Sequence, residues 1–377
     1  MNEMVGQYVV LSEMKERSKD INFPNQMLFV GQSGSGKSTL ALILAKLINC
    51  KNPQQQEDGT YEPCNECSAC TDVVHQRWSR DVYYMDATYM GKEEVQKLHE
   101  KTGSRPMYDK NKVIIIDEAH LLNSKEARGG MLTLTEKPKE NVYFILCTTD
   151  ISPFDTAFQS RFMTYKFYSA KLEDIGRYLI QQLESENYTD EYIKQMAKNI
   201  IPIIADNAEG SIRQAIQYME RVIYSGITTV EELEKEMGFI SQTSMNYIIG
   251  YALNGDVPQF FKFYNSLSDK KFFFNILGSQ ISDMKKYMLG HTNVKQGAVE
   301  KAKAIVEEQD KQAFNILFDT VVTLNHSIRY SFSNRIFELH MLQALEKIQG
   351  VRRKEKNQSV SEDNNTKRRR RAAVSHD

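Results

Sequence analysis

The segment Gly31-Gln32-Ser33-Gly34-Ser35-Gly36-Lys37-Ser38-Thr39 constrains this chain more than any other. It fits G-x-x-x-x-G-K-[ST], the pattern of a phosphate-binding loop, which carries weight only between a strand and a helix. Both are legible. Met27 to Val30 is an apolar run that reads as a buried strand, and Ser38 to Ile48 reads as a helix. Glycines let backbone N–H groups converge on phosphate oxygens, and the helix N-terminus adds positive potential. Gly31 to Gly36 and Thr39 therefore form a candidate cradle. Lys37 would reach the β- and γ-phosphates, and Ser38 would ligate Mg²⁺. A plain Gly/Ser turn is the competing reading, and it leaves the strand–loop–helix order unexplained.

A chain of 377 residues suggests two or three domains. With 41% hydrophobic and 26% charged residues, its composition is that of an ordinary globular protein. No apolar run approaches the roughly 20 residues of a membrane span, and no secretory signal opens the chain, so the expected location is the cytosol. The net charge of -1 hides an asymmetry. Residues 351–377 hold nine Lys/Arg against four Asp/Glu, leaving the body of the chain acidic. This tail, with Lys367-Arg368-Arg369-Arg370-Arg371, reads as disordered. A basic run can bind nucleic acid without sequence preference, and a solvated flexible end reads equally well.

Four of the five cysteines fall within 21 residues: Cys50, then Cys64, Cys67 and Cys70 as C-x2-C-x2-C. They lie in and beside a polar insertion that begins at Asn52-Pro53. Four thiolates supply the tetrahedral set of a structural zinc site, with no position left open for catalysis. Free cysteines are the alternative. Cys147 lies in an apolar run and reads as a core residue.

Lys112 to Ile116 is an unbroken, mostly β-branched run, as expected of a central parallel strand covered on both faces. Asp117 and Glu118 stand at its C-terminal end, where α/β sheets place their ligands. Asp117 would hold Mg²⁺, directly or through water, and Glu118 would polarise the attacking water. Val82 to Asp86 reads as another strand. Asn141 to Asp150 is a further strand with a polar end. In phosphate-loop enzymes such a strand lies between the other two and can offer a γ-phosphate sensor, here Thr149. A Thr-rich strand end is the simpler reading. Ser160-Arg161-Phe162 precedes a last strand, Met163 to Tyr168.

From Lys171 the chain reads as helical, with helices over Leu172–Ser185, 190–206 and 211–225. Ser211 is a good N-cap candidate. Arg213 then sits in a first turn, where the macrodipole disfavours a cation unless an anion compensates. An exposed arginine is the alternative. Beyond Gln242, Phe260, Phe261, Phe263, Phe274 and Leu277, then Phe314, Leu317, Val321 and Leu324, recur as packing residues rather than as a base-stacking surface. That third region carries no catalytic constellation and suggests assembly.

Together these residues resemble the gamma/tau clamp-loader subunits of bacterial DNA polymerase III, which are AAA+ ATPases. The resemblance runs from Val5-Gly6-Gln7 through the phosphate loop, the four cysteines, Asp86-Ala87, Asp117-Glu118-Ala119-His120, Thr148-Thr149-Asp150 and Ser160-Arg161 to Gly210-Ser211-Ile212-Arg213. It implies an α/β P-loop AAA+ domain, a five-stranded parallel sheet with a zinc-module insertion, over residues 1–170, with the insert at about 50–72. A helical lid over 171–240 and an all-α collar over 241–350 follow. By matched position, Arg161 would be a finger reaching a neighbour's ATP, and Arg213 a second sensor on the γ-phosphate. The cofactors implied are ATP, Mg²⁺ and Zn²⁺. The partners implied are further clamp-loader subunits in a pentamer, homo- or hetero-oligomeric, joined through the collar, with a sliding clamp and primer–template DNA. No membrane is implied. Other readings are a delta-prime-like structural subunit with little turnover, and an AAA+ ring helicase or branch-migration motor. The family's Ser-Arg-Cys reads Ser160-Arg161-Phe162 here, and Gly129-Gly130 interrupts a helix. Such departures suggest a divergent or viral relative without the tau extension, in a bacterial cytosol or an infected bacterial cell.

Overall fold

The structure is a computed structural model. It describes residues 1, 4–74, 81–122, 125–136, 139–267, 270–291, 294, 302–303, 311–328 and 333–373, with side chains described as far as Arg353. The chain divides into two compact units, Met1–Gly226 and Ile227–Asp377.

Among the described residues, the first unit has seven strands: β1 (Gln26–Gly31), β2 (Gln54–Gln55), β3 (Tyr61–Glu62), β4 (Val82–Asp86), β5 (Lys112–Asp117), β6 (Val142–Thr148) and β7 (Met163–Phe167). Five form a parallel sheet in the order β4-β5-β6-β1-β7, so β6 lies between the phosphate-loop strand and the acidic strand, as expected. The helices are α1 (Tyr8–Ser18), α2 (Lys37–Asn49), α3 (Ser68–Val74), α4 (Lys92–Gly103), α5 (Lys125–Glu136), α6 (Thr156–Gln159), α7 (Leu172–Ser185), α8 (Asp190–Asn199), α9 (Ile201–Asn207) and α10 (Ile212–Ser225).

Strand alternation explains why the central runs are apolar throughout. Met27, Phe29, Val113, Ile115, Ile145 and Cys147 pack into one core with Leu40 and Leu44 of α2. Leu28, Ile114, Ile116, Phe144 and Leu146 point the other way, against Val95 and Leu98 of α4 and Met131 of α5. Each face buries its own layer, so Val113 to Ile116 are all apolar, and polar side chains come only at the two ends of β5, Lys112 and Asp117.

Two expectations change. The single helix expected over 190–206 breaks at Ile200. Pro202 causes this, because it lacks an N–H and its ring clashes with the carbonyl four residues back. The tail expected to be disordered carries helix instead, since the last helix runs to Ala373. Lys, Arg, Glu and Gln are good helix formers, and no proline follows Asn334 to stop propagation.

The second unit is helical: α11 (Val230–Met237), α12 (Gln242–Asn254), α13 (Val257–Ser266), α14 (Lys270–Met288), α15 (Lys311–Ile328) and α16 (Asn334–Ala373). Its core gathers Phe260, Tyr264, Phe273, Phe274, Phe314 and Phe337, with the Tyr264 and Phe337 rings stacked at 4.9 Å. These aromatics pack inward, as their helical spacing implies. Among the described residues no helix is long and apolar enough to cross a membrane.

The paired glycines of α5 have different roles. A Cβ at Gly130 would lie 2.6 Å from Val95 Cγ1, so this glycine lets α5 approach α4. A Cβ at Gly129 would meet nothing within 4 Å. Gly129→Ala is therefore expected to stabilise the chain by about 0.5–1 kcal/mol through helix propensity. Gly130→Ala makes the same helical gain but overpacks Val95, for a net loss of up to about 2 kcal/mol. Urea midpoints of the two variants, measured in parallel, should move in opposite directions.

Candidate functional site

The loop between β1 and α2 forms because its glycines accept backbone that other residues resist. Gly34 and Gly36 have φ of 75° and 94°. Gly31 is required for a second reason, since a Cβ there would lie 2.3 Å from the Phe167 carbonyl oxygen of β7. Gln7 ties the loop to β7 from the other side. Its amide donates to the carbonyls of Ser35 (3.3 Å) and Tyr168 (2.5 Å), and its oxygen accepts from Tyr168 N–H (2.9 Å). Ser169 Oγ also donates to Gln32 Oε1 at 2.6 Å.

Lys37 is the first residue of α2 and is buried. Its ammonium donates to the Gly31 and Gln32 carbonyls, both at 2.8 Å, which holds it over the loop. Burial lowers its pKa, with Asp117 and Glu118 opposing the shift and Arg213 adding to it. Ser35 Oγ is buried with no hydrogen-bond partner among the described residues. A loop with an ammonium above it, a helix N-terminus behind it and an orphaned hydroxyl fits an anionic ligand such as a phosphate group.

The structure brings Ser38 and Asp117 together, with Ser38 Oγ donating to Asp117 Oδ2 at 2.8 Å. Asp117 Oδ1 accepts the Glu118 N–H at 2.9 Å. Glu118 adopts the left-handed conformation, φ 49° and ψ 40°, which costs a non-glycine residue about 1–3 kcal/mol. Its carboxylate lies 3.4 Å from His120 Nδ1, and that nitrogen is 3.3 Å from Thr148 Oγ1. Ser38 Oγ and Asp117 Oδ2, a hydroxyl and a carboxylate oxygen, are donor types that a hard cation such as Mg²⁺ takes.

Helix α10 closes the site from the far side. Ser211 is its N-cap, accepting the Gln214 N–H at 3.3 Å. A Cβ on Gly34 would sit 2.0 Å from Ser211 Oγ and 3.5 Å from Arg213 Cβ, so the helix start packs directly on the loop. Arg213, Thr149, Gln32 and Ser33 line a shared cavity of about 470 Å³. Arg161 lies elsewhere. It donates to the Leu132 carbonyl at 2.8 Å and pairs with Glu136 at 3.2 Å, both on α5.

The four cysteines also converge. Their sulfurs all lie within 4.8 Å of one another, and the Cys50–Cys64, Cys50–Cys70 and Cys64–Cys70 pairs are 3.5, 3.7 and 4.0 Å apart. Four sulfurs at about 2.3 Å from one ion in a tetrahedron stand about 3.8 Å apart, so the set fits zinc. The N–H of Cys67 donates to Cys64 Sγ, and that of Cys64 to Cys50 Sγ. Backbone N–H groups of Cys67 and Glu66 pull the Cys64 thiol down to about 6, while burial pushes Cys50 and Cys70 up. Cys50 directly follows α2, so this module is clamped to the helix that begins at Lys37.

Sequence reasoning missed Tyr84, whose hydroxyl donates to Asp117 Oδ2. Burial first, and then the Asp117 carboxylate, raise its pKa and keep the phenol a donor. It also missed Gln7 as a brace and His120 as the partner of Glu118. Only the parallel register of β4 and β5 could have pointed to Tyr84.

The family described as "DNA polymerase III, delta subunit" matches residues 6–171. The chain is 30% identical over 271 residues to the DNA polymerase III subunit gamma of Buchnera aphidicola subsp. Baizongia pistaciae, covering 71% of this chain and 70% of that protein. It is 30% identical over 243 residues to the DNA polymerase III subunit tau of Bacillus subtilis, covering 64% of this chain and 41% of that one. With the gamma/tau subunit of Mycoplasma pneumoniae it shares 29% identity, over 69% of this chain and 37% of that protein. The chain thus spans well under half of the two longer relatives. On the strength of the Buchnera relative, the chain belongs to the DNA polymerase III gamma/tau family of clamp-loader subunits.

Proposed function

We propose that this chain is an ATPase subunit of a DNA sliding-clamp loader, which binds and hydrolyses ATP to set a clamp on primer–template DNA during replication. One observation carries the reading: Lys37, Ser38, Asp117, Glu118 and Arg213 gather around one glycine loop at the C-terminal end of the parallel sheet. The loop amides and Lys37 bind and orient the phosphates. Ser38 and Asp117 hold Mg²⁺, which when bound neutralises charge on the β- and γ-oxygens. Glu118 takes a proton from the attacking water. Arg213, facing the loop from α10, meets the γ-phosphate, the anion that its place in a helix first turn calls for. Thr149 borders the same cavity and senses that phosphate.

Arg161 acts on a neighbouring subunit's ATP. Its partners among the described residues are on α5 and not on its own phosphate loop, which supports a role in trans. The helical second unit joins subunits into a pentamer, and the partners are other loader subunits, the clamp and primed DNA. Cys50, Cys64, Cys67 and Cys70 hold a structural zinc ion. The cytoplasm is where these partners work.

The reading is tested by ATP turnover of the assembled loader with clamp and primed DNA, where a rate no higher than that of a Lys37→Ala assembly would overturn it. Lys37→Ala should abolish nucleotide binding by the isolated chain. Glu118→Gln should bind ATP as tightly as wild type while turnover falls by about 10²–10⁴-fold, the usual contribution of a general base. Arg161→Ala should leave binding by the isolated chain unchanged. In the ring it should lower hydrolysis steeply, since such fingers contribute about 10³–10⁵ in rate in GTPases. Rings mixed from Arg161→Ala and Lys37→Ala chains should recover activity that neither shows alone. Elemental analysis should find about one zinc per chain, and less in Cys67→Ser, because three thiolates no longer close the tetrahedron.

A further inference from the structure

We propose that Tyr84 is a positioning residue for the metal ion of the phosphate site, acting through Asp117. The inference rests on the reading of that site as an Mg²⁺–nucleotide site and adds a residue to it.

Strand β4 runs parallel to β5, with Tyr84 opposite Ile115 and Asp86 opposite Asp117. Side chains alternate along a strand, so Tyr84, Ile115 and Asp117 share one face of the sheet. Tyr84 and Asp117 are diagonal neighbours, a spacing of about 7–8 Å that an aromatic side chain can bridge. Asp86, directly opposite Asp117, is turned to another task. Its carboxylate caps the turn at Ala87–Tyr89 by accepting the Thr88 N–H at 2.8 Å.

The hydroxyl of Tyr84 and that of Ser38 donate to the same oxygen, Asp117 Oδ2. The Glu118 N–H takes the other oxygen. The terminal torsion of a free aspartate is broad, with little to hold it. Here three donors from three segments fix it, and Ser38, the second metal-holding group, is fixed by the same contact. Without the phenol, Ser38 and the Glu118 N–H still hold one oxygen each, but the carboxylate loses the third of its restraints and the second donor on Oδ2. Hydrogen bonds of this kind to a ligating carboxylate typically contribute about 10–100-fold in metal affinity. Tyr84 as a whole residue is 45% exposed, while its hydroxyl end is turned in on Asp117. Tyr84→Phe keeps the ring and removes the one donor.

The experiment measures binding of a fluorescent ATP analogue to the full chain, first in EDTA and then across an Mg²⁺ titration. Tyr84→Phe should bind the analogue in EDTA within about twofold of wild type, and its half-saturating Mg²⁺ concentration should rise by about 10-fold. A role in packing alone would weaken binding equally with and without the metal, and that result overturns the inference. So do Mg²⁺ curves that superimpose, or a variant that needs less Mg²⁺ than wild type. Wild-type chain with no Mg²⁺-dependent binding would overturn the parent reading and this inference together, so the two failures are told apart by the wild-type curve.

Discussion

The carboxylate of Asp117 accepts hydrogen bonds from three places that are far apart in the chain: Ser38 at the start of α2, Tyr84 on an outer strand, and the backbone of Glu118 beside it. The rest of the site depends on that convergence. Asp117 is the first polar side chain after four apolar residues of β5, and it emerges where the strand leaves the core. Because both faces of the sheet are covered, β5 cannot slide by one residue without burying this charge, and an unpaired buried carboxylate is costly. The hydrophobic packing of Ile114, Ile115 and Ile116 therefore sets the position of the carboxylate on which Ser38 and Tyr84 converge.

Close backbone approach is the second constraint. Gly31 passes against the Phe167 carbonyl, and Gly34 passes under Ser211. The first contact fixes the loop to β7 and the second fixes it to α10, so a helix that begins almost 180 residues later presents Arg213 to the loop. Gly210, with φ of 82° and a neighbour, Ser169, that leaves no space for a side chain, makes the connection sharp enough for this. The cysteine cluster braces the opposite end of α2 through Cys50. The helix that carries Lys37 and Ser38 is thus held at its start by the loop and at its end by the sulfur cluster.

Much of this was legible in the amino-acid order. The strand–loop–helix around Lys37, the acidic pair after an apolar strand, the spacing of Cys64, Cys67 and Cys70, and the N-cap at Ser211 are local patterns, and periodicity and short spacings report local geometry well. The break at Ile200 was missed, although Pro202 is the local signal for it. The helical tail was misread because charge and low hydrophobicity were weighed above helix propensity.

What the sequence by itself determined is that this protein carries a glycine loop with Lys37 and Ser38, an acidic pair after an apolar strand and a cluster of four cysteines, and the elements that bear them. Only the tertiary structure decided which of them meet. It placed Tyr84 on Asp117 across 33 residues of chain and His120 against both Glu118 and Thr148, and it set Arg161 on α5 rather than at its own loop. The reason is physical. A contact between neighbouring parallel strands depends on register, and register is set by how two buried faces pack, a property of the whole sheet that no single segment encodes.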